Sequence, residues 1–300
     1  MMVLNFSSRV AGRAMQKTDQ PERKMSTANE KPKVATNWVM EHYDDDVHPP
    51  WKPLPEPLTS NVTAAAPLEF DLFWSMRSPY CYLVIDRILA LNASYNVKAN
   101  FRPTLPIAIK AGGFPGAPWY RWNYDMMDQH RVAKFLGIPF RRPNPEPVVQ
   151  NTYPPDSADL KMPPEQEQPY IHHLTRLAAA AQGQDKGLAF LDKVTRMMWD
   201  GSTDNWPAFL IEYMDRAGMD GKATDADVKS NPDKYDAILE ENAVAQHATG
   251  HGGVPNMAFR GEPFFGEDRF DLFFSRLKQN GLTRRSESMA QLPLESWTGA

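Results

Sequence analysis

One junction between a strand and a helix constrains the fold of this chain more than any other feature. In the segment LEFDLFW, large apolar side chains at Phe70, Leu72 and Trp74 fall on alternate positions, which predicts a largely buried β-strand. Ser78 then follows as a helix cap, and Pro79 occupies the first helical position, where a missing N–H costs nothing. The chain is therefore predicted to pass from a buried strand into a helix through one short turn.

The same junction places a hydroxyl group at the start of the helix. Backbone N–H groups of a first helical turn lack partners, and the helix dipole is positive there, so an anion is favoured. The position of Ser78 suits the stabilisation of a thiolate or an oxyanion. An ordinary capped helix after a strand is the alternative interpretation, and this segment alone leaves both open.

A second segment, late in the chain, predicts a strand, a tight turn, another strand and a helix. The two strands are Asn256–Phe259 and Phe264–Phe265, joined by a turn at Arg260–Glu262 with glycine at its centre. A helix begins at Glu267, and its apolar residues recur at helical spacing. The Val254–Pro255 bond immediately precedes the first of these strands, and sequence alone does not assign its isomer.

Together the two segments resemble the two halves of a thioredoxin fold. Three blocks carry a closer resemblance, in the order FDLFWSMRSPYCYL, YDMMDQHRVAKFLGIPFRRPNP and GGVPNMAFRGEPFFGEDRFDLF. They are similar to the family of 2-hydroxychromene-2-carboxylate isomerases and kappa-class glutathione transferases, within the DsbA-like branch, over roughly residues 68–280. The resemblance implies an α/β, thioredoxin-like fold with a large helical insertion.

The resemblance and the composition divide the chain into four parts. The thioredoxin-like domain comprises residues 66–104 and 249–280, and residues 105–248 form an inserted helical domain. Residues 1–65 are polar and lack sustained periodicity, so they are predicted to be a mostly disordered extension. Residues 281–300 are predicted to be a loose tail. The helices predicted in the insertion are Tyr120–Leu136, Tyr170–Ala181, Leu188–Trp199, Trp206–Ala217 and Pro232–Ala248.

The resemblance also implies a glutathione site. Ser78 matches the family position whose hydroxyl hydrogen-bonds the glutathione sulfur, and such a bond lowers a thiol pKa. Val254 and Pro255 match the loop whose backbone pairs with the cysteinyl unit, as an added strand does. Glu267 and Asp268 match the position that binds the γ-glutamyl end. The implied function is a glutathione-dependent isomerase or transferase that acts on a small aromatic or electrophilic substrate.

Three further residues are candidates for substrate contact. Arg77 and Tyr80 flank Ser78 and could reach a substrate, although a solvated cation and a packed ring are equally good interpretations. Asn144 lies between prolines in the RRPNP block, where it either faces the substrate cavity or serves as a turn residue.

Cysteine and histidine usage narrows the chemistry. Cys81 is the only cysteine, so neither an internal disulfide nor a dithiol redox cycle is possible. It falls one turn inside the predicted helix, where a buried, inert thiol is expected. His247 and His251 have helical spacing, but no third ligand accompanies them, so no metal site is expected. Two alternative functions stay open: a monothiol redox protein that uses Cys81, and a non-catalytic thioredoxin-like binding protein.

Charge and composition bear on partners and location. A net charge of −4 offers no electrostatic footprint for nucleic acid. No apolar run is long enough for a membrane span, which needs about 18 residues. The first residues carry Arg9, Arg13 and Lys17 without an acidic residue, which resembles a mitochondrial presequence weakly. A cytoplasmic location is expected, with mitochondria or another organelle as the alternative. The relatives suggest a homodimer.

Overall fold

The computed structural model describes residues 55–57, 61–110, 119–149 and 167–285, and of residues 119–122 only the backbone. Most of the predicted extension, residues 111–118, most of the proline-dense segment after Pro147 and the last residues of the predicted tail lie outside these ranges. No helix in the ranges described is long and apolar enough to cross a membrane.

A mixed four-stranded sheet forms the centre of the fold. Its strands stand in the order β2-β1-β3-β4, with β1 and β2 parallel and the other pairs antiparallel. The strands are β1 (Leu68–Trp74), β2 (Val97–Pro103), β3 (Asn256–Phe259) and β4 (Glu262–Phe265). The predicted junction strand and the predicted hairpin are both confirmed. Arg260 and Gly261 connect β3 to β4 with positive φ angles of 53° and 80°, which suit a tight hairpin turn.

The helices follow the predicted order with two additions. They are α1 (Pro79–Ser94), α2 (Ile107–Lys110), α3 (Trp119–Leu136), α4 (Ile171–Gly183), α5 (Gly187–Phe190), α6 (Arg196–Trp199), α7 (Leu210–Arg216), α8 (Gly221–Ser230), α9 (Pro232–Ala248) and α10 (Phe270–Gln279). A π-helical turn, Leu191–Thr195, joins α5 to α6, and 3₁₀ turns at Trp206–Phe209 and Glu267–Arg269 precede α7 and α10. Helices α2 and α8 were not predicted.

One face of the sheet packs against the helices at the two ends of the domain. Phe70 of β1 contacts Phe273 of α10 edge to face, with ring centroids 4.7 Å apart. Leu72 and Trp74, on the same side of β1, are fully buried. The alternation in LEFDLFW therefore corresponds to one buried face of β1. Helices α1 and α10 cover this face because their own apolar faces are buried in the same contact.

The inserted helices contact the other side of β2. Helix α9 is linked to the strand through Asn242, which is fully buried and donates to the carbonyl of Pro103 over 3.0 Å. Arg102 pairs with Asp71 at 2.8 Å and also donates to the Asn242 side chain over 3.2 Å. The side of the sheet under the insertion is thus partly polar, and its polar groups are satisfied by each other.

The described parts of both flanking segments contact the domain. Val62 is buried, and its carbonyl accepts a hydrogen bond from the Thr283 hydroxyl over 3.0 Å. The Thr283 carbonyl in turn accepts from the backbone N–H of Asn96 over 2.8 Å. These bonds attach residues next to the predicted boundaries to the start of β2.

Candidate functional site

The Ser78 hydroxyl stands at the N-terminus of α1. Ser78 has extended backbone angles, φ −85° and ψ 120°, and its Oγ accepts a hydrogen bond from the Cys81 N–H over 3.3 Å. A tight turn precedes it, closed by a 3.1 Å bond from the Ser78 N–H to the Ser75 carbonyl. Because Oγ is used as an acceptor, the hydroxyl proton is left to be donated to a ligand. Ser78 is half-buried, so a ligand can reach it.

The Val254–Pro255 bond is cis and lies at the same edge of the sheet as Ser78. Phe73, one residue before the end of β1, pairs with Asn256, the first residue of antiparallel β3. The residue before Asn256 and the turn after β1 must therefore be neighbours. The Pro255 carbonyl accepts from the Gly266 N–H over 2.9 Å, which ties this loop to the start of the last helical segment.

Tyr80 is held by a partner on α3. Its hydroxyl donates to Asp128 over 2.9 Å, and the ring is half-buried. Burial, reinforced by the hydrogen bond and the charge of Asp128, raises the pKa of the Tyr80 hydroxyl well above its usual value. Tyr80 is therefore a neutral hydrogen-bonding group at physiological pH and not a source of negative charge.

Arg77 belongs to a three-membered ionic cluster. Its Nε lies 2.8 Å from one carboxylate oxygen of Glu146, and Arg142 lies 2.8 Å from the other oxygen. Burial alone would raise the pKa of Glu146, but the two guanidinium groups outweigh it and hold the pKa below its usual value. The residue next to Ser78 is thus a positioned cation with 8% of its surface exposed, and not a solvated one.

Asn144 lies on the segment that carries Glu146. Its bond to Pro145 is cis, and its carbonyl accepts from the Trp206 N–H over 3.3 Å. The indole N–H of Trp206 donates to the Pro145 carbonyl over 2.7 Å. These backbone contacts favour the turn interpretation of Asn144, and a substrate contact by its side chain stays a prediction.

Glu267 and Asp268 differ in their surroundings. Glu267 forms an ion pair with Arg87 of α1, and the two side chains are 12% and 7% exposed. Burial, which Arg87 offsets only in part, raises the pKa of Glu267. Asp268 instead has a side chain that is 63% exposed, and it contacts Arg269 at 2.9 Å. Asp268 is therefore the more accessible carboxylate of the two.

A family model described as a DSBA-like thioredoxin domain matches residues 69–278. The chain belongs to this family. The match runs from β1 to α10, so the DsbA-like domain includes the inserted helices as well as the sheet.

Two solved structures with TM-scores of 0.50 or more agree with the DsbA-like fold. A 2-hydroxychromene-2-carboxylate isomerase is 18% identical, with a TM-score of 0.53, over 71% of this chain and 95% of that chain. A probable DsbA oxidoreductase from Streptomyces coelicolor is 17% identical, with a TM-score of 0.50, over 71% and 89% of the two chains. The cytosolic disulfide reductase DsbM from Pseudomonas aeruginosa, solved with GSH, is 15% identical over 70% of this chain and 100% of that chain, with a TM-score of 0.42. No curated protein matches the sequence.

Cys81 gives this DsbA-like domain no accessible thiol. The side chain is fully buried, and burial raises the pKa of the thiol to about 12, although hydrogen bonds at Ser75 and Ser78 act in the opposite direction. A thiol of such pKa holds almost no thiolate at neutral pH and reacts slowly. The predicted burial of Cys81 is confirmed.

The structure adds three residues that the sequence did not single out. Asp128, Glu146 and Arg87 are the ionic or hydrogen-bonding partners of Tyr80, Arg77 and Glu267. Asp128 stands in the second of the three blocks that carry the resemblance, whereas Arg87 and Glu146 stand outside all three. Only the folded chain reveals which residues they contact. Among the residues the structure describes, no cluster of three or more His, Cys, Asp or Glu side chains is arranged to hold a metal ion.

Proposed function

We propose that this protein is a glutathione-dependent isomerase or transferase that acts on a small aromatic or electrophilic substrate. The observation that supports it best is the half-buried Ser78 hydroxyl, which caps α1 as an acceptor and keeps its proton for a sulfur atom. The 18% identical isomerase shares the fold, but at that identity the fold is all it supports. The proposal therefore rests on Ser78 and its surroundings.

Bound glutathione would supply a nucleophilic sulfur, which an isomerase adds to an unsaturated substrate and then releases, and which a transferase leaves on an electrophile. Ser78 would donate its hydroxyl proton in a hydrogen bond to that sulfur, at the positive end of the α1 helix dipole. Both effects favour the thiolate over the thiol, whose pKa is about 8.5 when unperturbed.

Other residues would hold the tripeptide and the substrate. The backbone of Val254, beside the cis bond to Pro255, is proposed to pair with the cysteinyl unit. Asp268 is proposed to meet the γ-glutamyl ammonium, since the Glu267 carboxylate is engaged by Arg87. Arg77 and Tyr80 stand on either side of Ser78, and we propose that they line the substrate side of the site.

The proposal extends to the surroundings of the enzyme. We place it in the cytoplasm, with mitochondria as the alternative because the N-terminal residues are basic. We propose a homodimer that takes small-molecule substrates and has neither nucleic acid nor membranes as partners. Gel filtration with light scattering would test the dimer.

Calorimetric titration with reduced glutathione, combined with the ultraviolet absorbance of the thiolate across pH, tests the central claim. The wild type should bind glutathione with a thiol pKa below 8.5, and Ser78→Ala should raise that pKa by about one unit. Ser78→Asp is the matched variant, because aspartate caps a helix as well as serine does but repels a thiolate. It should keep the stability of the wild type and lose the bound thiolate.

Two outcomes would count against the proposal. If the wild type fails to bind glutathione, the non-catalytic binding protein becomes the better explanation of the fold. If Ser78→Ala binds glutathione with an unchanged thiol pKa, the hydroxyl has no role in activating the sulfur.

A further inference from the structure

Lys110 is a buried cation without a carboxylate partner in the described part of the chain. It ends the short helix α2, and 8% of its surface is exposed. Its ammonium donates to the side-chain oxygen of Gln246 over 3.1 Å, which is the polar contact the structure gives that group. Burial lowers the pKa of Lys110 to about 8. A buried ammonium without a counterion opposes folding, so stability alone does not account for a lysine at this position.

Gln246 connects Lys110 to the cis-proline loop, residues 249–255. It is almost fully buried on α9, and its amide nitrogen donates to the Gly253 carbonyl over 2.9 Å. A lysine ammonium can only donate and a carbonyl can only accept. The amide of Gln246 is therefore held in one orientation, with its oxygen toward Lys110 and its nitrogen toward Gly253.

The loop has other anchors besides Gln246. The buried Asn256 amide donates to the Thr249 hydroxyl over 3.3 Å and to the His251 carbonyl over 3.5 Å, and the His251 ring stacks on Phe265 with centroids 4.1 Å apart. The Gly253 N–H donates to His251 Nδ1 over 3.0 Å, which is a bond inside the loop. Thr249 bonds back to the Gln246 carbonyl through its hydroxyl, over 2.7 Å. The start of the loop is thus held by Gln246 and Asn256 together, whereas the Gly253 carbonyl is held by the Gln246 side chain. On the far side, Pro255 is tied to Gly266 over 2.9 Å.

We propose that Lys110 and Gln246 are positioning residues that hold the cis-proline loop so that the Val254 backbone can pair with a bound peptide thiol. This inference rests on the proposed function for the identity of the ligand. Lys110 orients the Gln246 amide, and the amide nitrogen fixes the Gly253 carbonyl. This carbonyl and the Val254 N–H belong to the same peptide bond, so fixing one also fixes the other. Neither residue touches the reacting sulfur.

Two variants separate positioning from stability. Lys110→Met removes a buried charge and keeps a side chain of similar length, so the protein should unfold at the same or a higher denaturant concentration. Gln246→Glu supplies Lys110 with a counterion, but it removes the N–H donor and turns a carboxylate oxygen toward the Gly253 carbonyl. If Lys110 and Gln246 only stabilise the fold, neither variant should affect the cis-proline loop. The positioning role predicts weaker glutathione binding in both, by about threefold to tenfold, without loss of stability.

The loop is read out directly by NMR in the ligand-free protein. The amide protons of Val254 and Asn256 should shift and exchange with solvent about tenfold faster in Lys110→Met and Gln246→Glu than in the wild type. Lys98→Met is the control for charge removal, because the Lys98 side chain is 55% exposed on β2 and lies 3.9 Å from the Glu69 carboxylate. It should leave both amides and the affinity unchanged.

The outcomes separate this inference from the proposed function. Unchanged loop amides in both variants overturn the inference, whether or not glutathione binds. Faster exchange together with unchanged glutathione affinity also overturns it. If the wild type does not bind glutathione, the proposed function fails, and the loop amides alone decide whether Lys110 and Gln246 position the loop.

Discussion

The backbone N–H of Cys81 donates a hydrogen bond to the Ser78 hydroxyl over 3.3 Å, so a half-buried hydroxyl and a fully buried thiol share the first turn of one helix. Ser78, the accessible residue, carries the hydroxyl that can stabilise a thiolate. Cys81, the inaccessible residue, carries the thiol that could itself become one. This arrangement favours chemistry on a bound thiol over chemistry on the protein's own thiol. It also argues against the monothiol redox alternative.

The first prediction concerns Cys81. Because its pKa is raised to about 12, its thiolate population grows only as the pH approaches that value. We expect the native protein to react with a thiol-specific disulfide reagent at neutral pH about a thousandfold more slowly than a free cysteine does. Denatured protein, the control, should react at once. Rapid labelling of the native protein would contradict the burial seen here.

The second prediction concerns the ion pair between Arg87 and Glu267. Arg87→Met leaves a buried carboxylate without its cation and should lower the free energy of unfolding by about 3–5 kcal/mol in urea denaturation. The double variant Arg87→Met/Glu267→Gln should recover part of that loss. Arg216→Met breaks an ion pair whose side chains are 53% and 52% exposed, and should cost less than about 1 kcal/mol. Equal losses in the two single variants would show that burial does not matter.

The third prediction uses two adjacent glycines in the cis-proline loop. A Cβ at Gly253 would lie 2.4 Å from the Phe265 ring and 2.7 Å from the His251 ring, so Gly253→Ala must displace the loop or these two rings. A Cβ at Gly252 would meet nothing within 4 Å. We expect Gly253→Ala to weaken glutathione binding about tenfold, or about 1.4 kcal/mol, and Gly252→Ala to leave it unchanged. Calorimetry measures both, and equal effects would remove the steric argument.

The fourth prediction is a pH dependence of stability at Glu146. Its pKa lies below the usual value of 4.5 in the folded protein, so its ionised form stabilises the fold above that value. The contribution is lost as the pH falls below 4.5 and through the lower folded pKa. Glu146→Gln should therefore cost about 1–3 kcal/mol at neutral pH, and the difference from wild type should shrink in acid.

Denaturation at neutral and acidic pH measures this difference. The matched variant is Glu69→Gln, because the Glu69 side chain is 53% exposed and its cation lies 3.9 Å away. It should change the stability little at any pH. A Glu146→Gln difference that stays constant with pH would show that the carboxylate charge does not stabilise the fold.

Much of the fold could be predicted because its signals are local. The strand before Ser78, the cap at Ser78 and the hairpin at Gly261 each depend on a few consecutive residues. Helix α8 shows the limit of such signals. Its buried residues are Gly221, Thr224 and Val228, so its apolar stripe is too weak to show periodicity. The cap at Asp220, which accepts from the Ala223 N–H over 2.9 Å, was the signal available for it.

The candidate site could be predicted only in part for the same reason. The sequence by itself determined the hydroxyl at the start of α1, the order of the strand-forming segments along the chain and the absence of a second cysteine. These features follow from neighbouring residues or from composition. Tertiary structure alone decided which polar and charged groups meet. Tyr80 and Asp128 are 48 residues apart, Arg77 and Glu146 are 69 apart, and Arg87 and Glu267 are 180 apart. The first two pairs form only after the insertion folds back onto the thioredoxin-like domain, and the third forms only after α1 packs against the turn before α10. Ionisation of these groups depends on the burial that this packing creates.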